Sequence, residues 1–520
     1  MTENRRFLPS YDAIVVGAGL AGLTAATRLA KAGKHVLLLE RHNMTGGYAT
    51  SFVRGRYEFE VSLHEACECG DGQNGAGYGA VRAMLDELGV KVDYRRVPDA
   101  YRVILTDLGV DFTMPFGIEN AIAAIEKLEP GNGEKARNYF QLFREINEAL
   151  EYIGSCGKAG PEPKVMATKY SSFLRTAAYN VSDVNRYYKF GPKTENVLNA
   201  YYGYIGRHLD ETSFTVWAQM IYIYLRDGAH IVNKTSHAFA NDIEQAFRDN
   251  GGQVETNVRV VKLLTEGGRC VGVRTADGEE IRAKYVLCNG NPTQAYTRML
   301  DRADVPEEAL KLSGARKLGG SPFMVYMGLD ATPEEMGIDS YEYFVGKDMD
   351  TERIWTETNE WVPHAKLSAT CPDVAIPGLT GKGISQLNFT ALYDPEAMDR
   401  AKPGKYDYLS EKERFANVMI DYFEETTGAR IRDHIEELAL ATPATFNRYT
   451  GAPKGNIYGY VCSAVDGAVP RMLAAEKERY ILGLDFIGGA GFRAHGYSSV
   501  ITDGYACAGV ALEMMGGAES

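Results

Sequence analysis

Residues 12–40 read DAIVVGAGLAGLTAATRLAKAGKHVLLLE, and this stretch decides the fold. The apolar run Ala13–Val16 is typical of a strand that is buried on both faces of a parallel sheet. Residues 17–22 then read GAGLAG, a complete G-x-G-x-x-G pattern. A helix is predicted over Leu23–Ala32, and His35–Leu39 predicts a second buried strand that closes on an acid.

Each part of this pattern has a physical purpose. Gly17 allows a tight turn, Gly19 lets a pyrophosphate approach the backbone, and Gly22 permits close packing of the helix on the strand. The N-terminus of the helix supplies free N–H groups for phosphates, and Glu40 is placed to accept hydrogen bonds from ribose hydroxyls. Because strand, turn, helix, second strand and acid arrive in order, the sequence predicts a dinucleotide site.

Composition sets broad limits on the other functions. A chain of 520 residues is too long for one ordinary core, so two or more structural units are expected. The net charge of −13 and the absence of a basic stripe disfavour nucleic-acid binding. The eight cysteines are scattered without zinc-like spacing, so we expect no metal site and reduced thiols in a cytoplasmic protein. No secretory segment or membrane-spanning run is predicted.

The next glycines favour FAD over NAD. Gly46-Gly47 follows Glu40 by six residues and resembles the second glycine pair of the FAD-dependent oxidoreductase superfamily. Many members place an arginine directly after that pair, whereas this chain has Tyr48. Arg54 and Arg56 are candidates for the missing contact, and surface charges on a hairpin explain them equally well.

The C-terminal region fits the same cofactor. The pattern of Tyr480–Asp485 predicts a strand that ends at an acidic residue. Residues 488–491 then read GGAG, and a helix of small residues is predicted over Ser498–Met514. Asp485 is expected to bind a ribityl hydroxyl, and the helix start is expected to face the pyrimidine side of the flavin. The alternative is a glycine-rich loop before a tightly packed helix.

Three further blocks narrow the superfamily. Residues 56–64, RYEFEVSLH, resemble the segment after the glycine pair in phytoene desaturases, carotenoid isomerases and retinol saturases, with Glu60 and Ser62 in place of the usual acid and glycine. Residues 236–292 predict a helix, a strand over Val254–Leu264 and a hairpin at Asp277-Gly278. Residues 442–451, TPATFNRYTG, resemble a late substrate-side segment of the same relatives.

The resemblance implies an α/β fold with a Rossmann-type FAD-binding domain assembled from residues 1–69, 234–292 and 479–520. An α+β substrate domain would comprise residues 70–233 and 293–478. The backbone near Val258 would lie against the adenine. The expected cofactor contacts are Gly17, Gly19, Leu20, Ala21, Gly22, Glu40, Arg41, Gly46, Gly47, Tyr48, Ala49, Val258, Asn289, Gly290, Gly483, Asp485, Gly491, Ser498 and Val500.

Arg493, His495 and Tyr497 directly follow the final glycines and are the candidates for proton transfer beside the flavin. His495 titrates in a useful range, although holding the loop is an alternative role. His64 and Tyr449 are weaker candidates.

The implied activity is oxidation, reduction or isomerisation of carbon–carbon bonds in a hydrophobic, polyunsaturated lipid, carotenoid or retinoid. Residues 139–224 are rich in aromatic side chains, which predicts either an apolar substrate channel or an ordinary helical core. A quinone, oxygen or a redox protein is the expected electron partner. The sequence leaves open a peripheral membrane contact and a homo-oligomeric state. Two rival functions are an amine or amino-acid oxidase and a non-enzymatic lipid escort of the same fold.

Overall fold

The structure, a computed structural model, describes residues 6–62, 65–72, 77–364, 366–402, 404–491 and 496–516. Its first sheet is built around the N-terminal strand Ser10–Val16. This strand pairs in parallel with Val36–Leu39 on one side and with Glu280–Cys288 on the other. In order across the sheet, the strands are Val260–Glu266, Arg269–Thr275, Glu280–Cys288, Ser10–Val16, Val36–Leu39 and Gln253–Glu255, and Leu484–Phe486 also pairs with Glu280–Cys288.

The first sheet therefore takes its strands from three separate parts of the chain. Helices Leu20–Lys31, Ser236–Asp249 and Tyr497–Gly516 pack together against it. Gly504 marks the closest crossing, because a Cβ there would lie 2.2 Å from the carbonyl oxygen of Ala21. The predicted α/β class is confirmed, while the domain boundaries predicted from the sequence stay predictions.

Two predicted boundaries in this region are wrong. The first helix begins at Leu20, not Leu23, because Gly19 is the extended N-cap and Gly22 already lies in the first turn. The strand predicted over Val254–Leu264 is split at Asn257, whose left-handed φ of 58° ends one strand before the next begins. The hairpin predicted at Asp277-Gly278 is confirmed.

The predicted strand Tyr480–Asp485 is also displaced. Gly483 adopts a left-handed φ of 71°, and the strand runs instead over Leu484–Phe486.

A second sheet, which like the first has seven strands among the described residues, forms the opposite wall of the molecule. Its strands, in order, are Ile435–Ala441, Ser321–Leu329, Ser385–Tyr393, Leu367–Thr370, Glu342–Gly346, Tyr101–Leu105 and Val110–Met114. Its central strands Ser321–Leu329 and Ser385–Tyr393 are buried along almost their whole length. Two short ribbons pair Ser51–Arg54 with Tyr57–Glu60 and Tyr94–Arg96 with His230–Val232.

Helices cover this sheet and enclose an aromatic core. Helix Phe214–Asp227 packs on Gly133–Ser155, and Trp217 is fully buried between them. The remaining helices are Ala80–Leu88, Ile118–Leu128, Pro163–Lys169, Ser171–Thr176, Val181–Tyr188, Pro192–Leu198, Pro292–Gln294, Glu307–Ala315, Pro333–Met336, Thr351–Glu357, Pro372–Ala375, Ala397–Ala401, Lys405–Thr427, Pro443–Thr450 and Ala468–Ala474. Within the described residues, no helix combines the length and apolar character that crossing a bilayer requires.

Candidate functional site

A cavity of about 1590 Å³ lies between the first sheet and the second sheet. Drug-sized ligand sites usually occupy roughly 300–1,000 Å³, so this cavity is larger than the site of one such ligand. One end is formed by glycine-rich backbone, and the other by apolar side chains.

The glycine-rich end begins where strand Ser10–Val16 stops. Gly17 has a φ of 96°, and Gly19 caps the following helix without any side chain, so the first N–H groups of the helix remain available to a ligand. Both glycines line the cavity. Gly22 lies outside the lining, and a Cβ there would stand 2.0 Å from the carbonyl oxygen of Gly17. Gly22 therefore serves the packing of helix on turn, as the fingerprint predicts.

The second glycine pair lies directly against the first turn. The Gly46 N–H donates to the Ala18 carbonyl at 2.8 Å, and both Gly46 and Gly47 have positive φ values. A Cβ on Gly47 would stand 3.1 Å from the Cα of Gly19. Two loops of bare backbone thus face each other, which is the cradle that a diphosphate requires. This geometry fits FAD.

Glu40 lies beside the cradle at the end of strand Val36–Leu39. Its carboxylate accepts hydrogen bonds from the backbone N–H groups of Ala18, at 2.7 Å, and His42, at 2.8 Å. The Glu40 carbonyl accepts from the Val258 N–H at 2.8 Å, which brings the backbone near Val258 to the same end of the cavity. The expected ribose and adenine contacts are thereby placed together, and their roles stay predictions.

Asn289 and Gly290, which directly follow strand Glu280–Cys288, also line the cavity. The Asn289 N–H donates to the Val16 carbonyl at 2.8 Å, and a Cβ on Gly488 would stand 2.3 Å from the Asn289 side-chain oxygen. Gly488 in turn donates its N–H to the carboxylate of Asp503 at 2.7 Å.

Sequence reasoning missed Asp503. It is fully buried in the C-terminal helix, and its carboxylate holds the loop of residues 488–491 in place. The available signal was one acid within a run of small and apolar residues, ITDGYACAG, at positions 501–509.

The structure places Asp485 elsewhere than we expected. Its carboxylate accepts from the Tyr285 hydroxyl at 2.6 Å and pairs with Arg479 at 2.7 Å, outside the cavity lining. Gly483 and Gly491 also lie outside the lining. The left-handed turn at Gly483 sets the orientation of the short strand, so residues 487–490 form this wall instead.

Helix Tyr497–Gly516 starts at the cavity. Tyr497, Ser498 and Val500 line it. The Tyr497 hydroxyl donates to the Tyr48 carbonyl at 3.2 Å, and burial raises its pKa far above the ordinary value. The Ser498 hydroxyl donates to the Cys67 carbonyl at 2.8 Å. Among the other candidates, His64, Arg493 and His495 lie outside the described residues.

The remaining predicted contacts also line the cavity, namely Leu20, Ala21, Arg41, Tyr48 and Ala49. Of the two arginine candidates, Arg54 lines the cavity, whereas Arg56 forms an exposed ion pair with Glu436. Tyr449 lines the cavity mouth and is half exposed. The thiols of Cys67 and Cys69 are free, and burial raises the pKa of both, which makes each a poor nucleophile.

The apolar end belongs to the aromatic region of the sequence. One face of helix Phe214–Asp227 lines the cavity at helical spacing, through Val216, Gln219, Met220, Ile223 and Tyr224. Tyr204 also lines it, whereas Tyr201 and Trp217 belong to the helical core, and Tyr187 is 81% exposed. This region therefore supplies both cavity wall and helical core, and its use as a substrate channel stays a prediction.

The electrostatics of this end are dominated by buried acids. Burial raises the pKa of Glu65, which lines the cavity, to about 8. Burial and the charge of Glu65 raise the pKa of Glu342 well above its ordinary value. The Tyr204 hydroxyl donates to Glu342. Across the described part of the chain, no group of three or more His, Cys, Asp and Glu side chains has the arrangement of a metal site.

Comparison with known proteins agrees with this geometry. The sequence profile described as "Flavin containing amine oxidoreductase" matches residues 20–363. An all-trans-retinol 13,14-reductase from Danio rerio is 24% identical, over 96% of this chain and 86% of its own. A chloroplastic prolycopene isomerase from Daucus carota is 22% identical, over 96% of this chain and 79% of its own. The predicted resemblance to retinol saturases and carotenoid isomerases is confirmed.

Solved structures share the fold. An oxidoreductase from Methanosarcina mazei superposes with a TM-score of 0.65 at 16% identity, over 95% of this chain and 99% of that one. A double mutant of putrescine oxidase superposes with a TM-score of 0.66 at 15% identity, over 97% and 99% of the two chains. With the profile covering most of the chain and the glycine cradle in place, the protein is an FAD-dependent oxidoreductase that belongs to the flavin containing amine oxidoreductase family.

Proposed function

We propose that the protein transfers a hydride and a proton to or from a carbon–carbon bond of a hydrophobic, polyunsaturated molecule of the retinoid or carotenoid type. The two named relatives, a retinol reductase and a prolycopene isomerase, support this substrate class over 96% of the chain. Saturation, desaturation and isomerisation all require the same juxtaposition of flavin and polyene.

The observation that carries the proposal is the continuity of the cavity. Its lining runs without interruption from the backbone cradle at Gly19 and Gly47 to the apolar face of helix Phe214–Asp227. A ligand that fills the second half lies in contact with Met220 and Ile223, and its inner end reaches the flavin end of the cavity. An extended apolar substrate fits such a space, whereas a small polar amine leaves most of it empty.

Within this proposal, each part of the cradle has a role toward FAD. The backbone of Gly19 and Gly47 holds the diphosphate, Glu40 accepts from the adenosine ribose, and the backbone at Val258 supports the adenine. The start of helix Tyr497–Gly516 directs its N–H groups and positive dipole end toward the pyrimidine side. Bound FAD supplies hydride transfer, which the side chains of a protein cannot perform alone.

The apolar end contributes binding and exclusion of water. Val216, Met220 and Ile223 bury the substrate chain, and roughly 25 cal/mol for each Å² of apolar surface removed from water favours that burial. Met324 and Tyr326 of the second sheet line the other side. The Tyr326 hydroxyl donates to the Val61 carbonyl at 2.6 Å, so its ring is fixed against the cavity.

The test is incubation of the FAD-loaded protein with three probes under reducing and oxidising conditions. All-trans-retinol and a poly-cis carotene represent the proposed class, and putrescine represents the amine oxidases of this fold. We expect a product that differs from a polyene probe by two hydrogens or by double-bond geometry. Hydrogen peroxide release with putrescine, without change in either polyene, would refute the proposal.

A further inference from the structure

The segment that follows the Tyr57–Glu60 strand carries a carboxyl group into the cavity. Glu65 is 6% exposed and lines the cavity, and the hydrogen-bonding group beside it is the Tyr204 hydroxyl, which also donates to Glu342. Its neighbour Ala66 exchanges two backbone hydrogen bonds with His230, at 2.8 and 2.9 Å. The Ser498 hydroxyl also donates to the Cys67 carbonyl. The backbone next to Glu65 is therefore fixed by His230 and by the first turn of helix Tyr497–Gly516, which starts at the flavin end of the cavity.

A second carboxyl lies within electrostatic reach of the first. Glu342 begins strand Glu342–Gly346 and is 1% exposed. It accepts from the Tyr204 hydroxyl, and its other oxygen has no hydrogen-bond partner in the described part of the chain. Two carboxylates that share one apolar site cannot both ionise readily, so the pair retains at least one proton at neutral pH.

Among the described residues, the titratable groups that interact electrostatically with Glu65 are neutral phenols and the second acid. These groups belong to the turn Ala200–Tyr204, the helix Phe214–Asp227 and the start of the strand at Glu342, which are close enough to interact with its charge. Burial raises the pKa of each of these phenols, and the charge of Glu65 raises it further, so they remain protonated. The facing groups are Tyr201, Tyr204, Tyr224, Tyr341 and Glu342.

We propose that Glu65 is the catalytic acid and base of the site, exchanging the substrate proton that accompanies hydride transfer. This inference rests on the proposed function. The buried carboxyl in the cavity wall, which pairs with no cation among the described residues, is the observation that carries it, because burying an ionisable group without an opposite charge costs free energy unless a ligand uses it.

The step balances in both directions. For saturation, the O–H bond of Glu65 breaks and a C–H bond forms at one carbon of the double bond. Bound FAD in its reduced form would supply the second hydrogen with both electrons, as a hydride, to the neighbouring carbon. The Glu65 carboxylate then regains a proton from solvent through the open end of the cavity. Desaturation reverses each transfer, and Glu65 takes the proton.

The experiment compares the wild type with Glu65→Gln and with the control Glu58→Gln, the same change at an exposed carboxyl on the adjoining hairpin. All three proteins are loaded with FAD and assayed with a polyene that the wild type converts. We expect Glu65→Gln to retain the flavin spectrum and lose about 100- to 10,000-fold in turnover. The rate at which the wild type saturates the polyene should fall above about pH 8, whereas the residual rate of Glu65→Gln should not fall there.

An infrared titration gives a readout that is independent of turnover. In the wild type, the C=O band of a protonated carboxyl should disappear near pH 8, and Glu65→Gln should lack that change. Turnover within about threefold of the wild type in Glu65→Gln would overturn the role of Glu65 and leave the proposed function intact. A wild type that converts no polyene would overturn the proposed function, and the role of Glu65 with it.

Discussion

The buried carboxyl of Glu65 makes the stability of the fold depend on pH in a way that one substitution removes. Burial raises its pKa from 4.5 to about 8. Because the folded state binds this proton more tightly than the unfolded chain, the contribution to stability is complete below pH 4.5 and is lost as pH rises through 8. Between those two pKa values, each pH unit lowers the unfolding free energy by about 1.4 kcal/mol.

Glu65→Gln keeps the shape of the side chain and cannot ionise, so its contribution is constant with pH. Between about pH 6 and about pH 8, the unfolding free energy of the wild type should fall by about 2 kcal/mol relative to the variant. Urea unfolding followed by far-ultraviolet circular dichroism at several pH values measures this difference. Glu58→Gln, at an exposed site, should follow the wild type. Parallel curves for wild type and Glu65→Gln would refute the reasoning.

Three further predictions concern the cavity and its surroundings. Gly47→Val should abolish FAD binding, measured as flavin absorbance per protein, because its φ of 63° and the 3.1 Å approach to Gly19 leave no room for a side chain. Ile223→Trp should retain FAD and lose about tenfold or more in kcat/KM for a polyene, because the indole fills the apolar end. Asp485→Asn should retain full flavin content, because Asp485 pairs with Arg479 outside the cavity.

Two of these variants have matched controls, and for the third we give the result that would contradict the prediction. Gly33→Val, at a positive φ with no atom near its Cβ, should keep the flavin that Gly47→Val loses. Val465→Trp, at an exposed position, should match the wild type in polyene turnover. Loss of flavin from Asp485→Asn would contradict this prediction and support the contact between Asp485 and a ribityl hydroxyl that the sequence led us to expect.

The sequence predicts the cofactor half well because backbone geometry constrains it locally. Gly17, Gly19 and Gly22 each meet a requirement within a few residues of themselves, and Glu40 closes the next strand at a fixed distance. The structure brings these positions together as the pattern implies. The predicted start of the helix is wrong by three residues, because the third glycine of a fingerprint lies inside the helix and not before it.

The acid pair lies beyond such reasoning. Glu65 and Glu342 are separated by more than half of the chain. The neighbour of Glu65, Ala66, pairs with His230, whereas Glu342 begins a strand of the second sheet, so only tertiary packing brings the two acids into electrostatic reach. No local period or spacing marks either residue. Asp485 shows the converse, because its motif is local and its partner Arg479, six residues earlier, turns it away from the cavity.

The most direct test of the central claim is a single turnover of the reduced protein with a polyene in the absence of oxygen. We expect the polyene to change in that single turnover, either losing one double bond as the absorbance of oxidised flavin returns or isomerising while the flavin stays reduced. The opposite result would be an unchanged polyene in a preparation whose oxidised flavin is bleached by putrescine. That result would contradict the proposal that the protein acts on carbon–carbon bonds of a polyene.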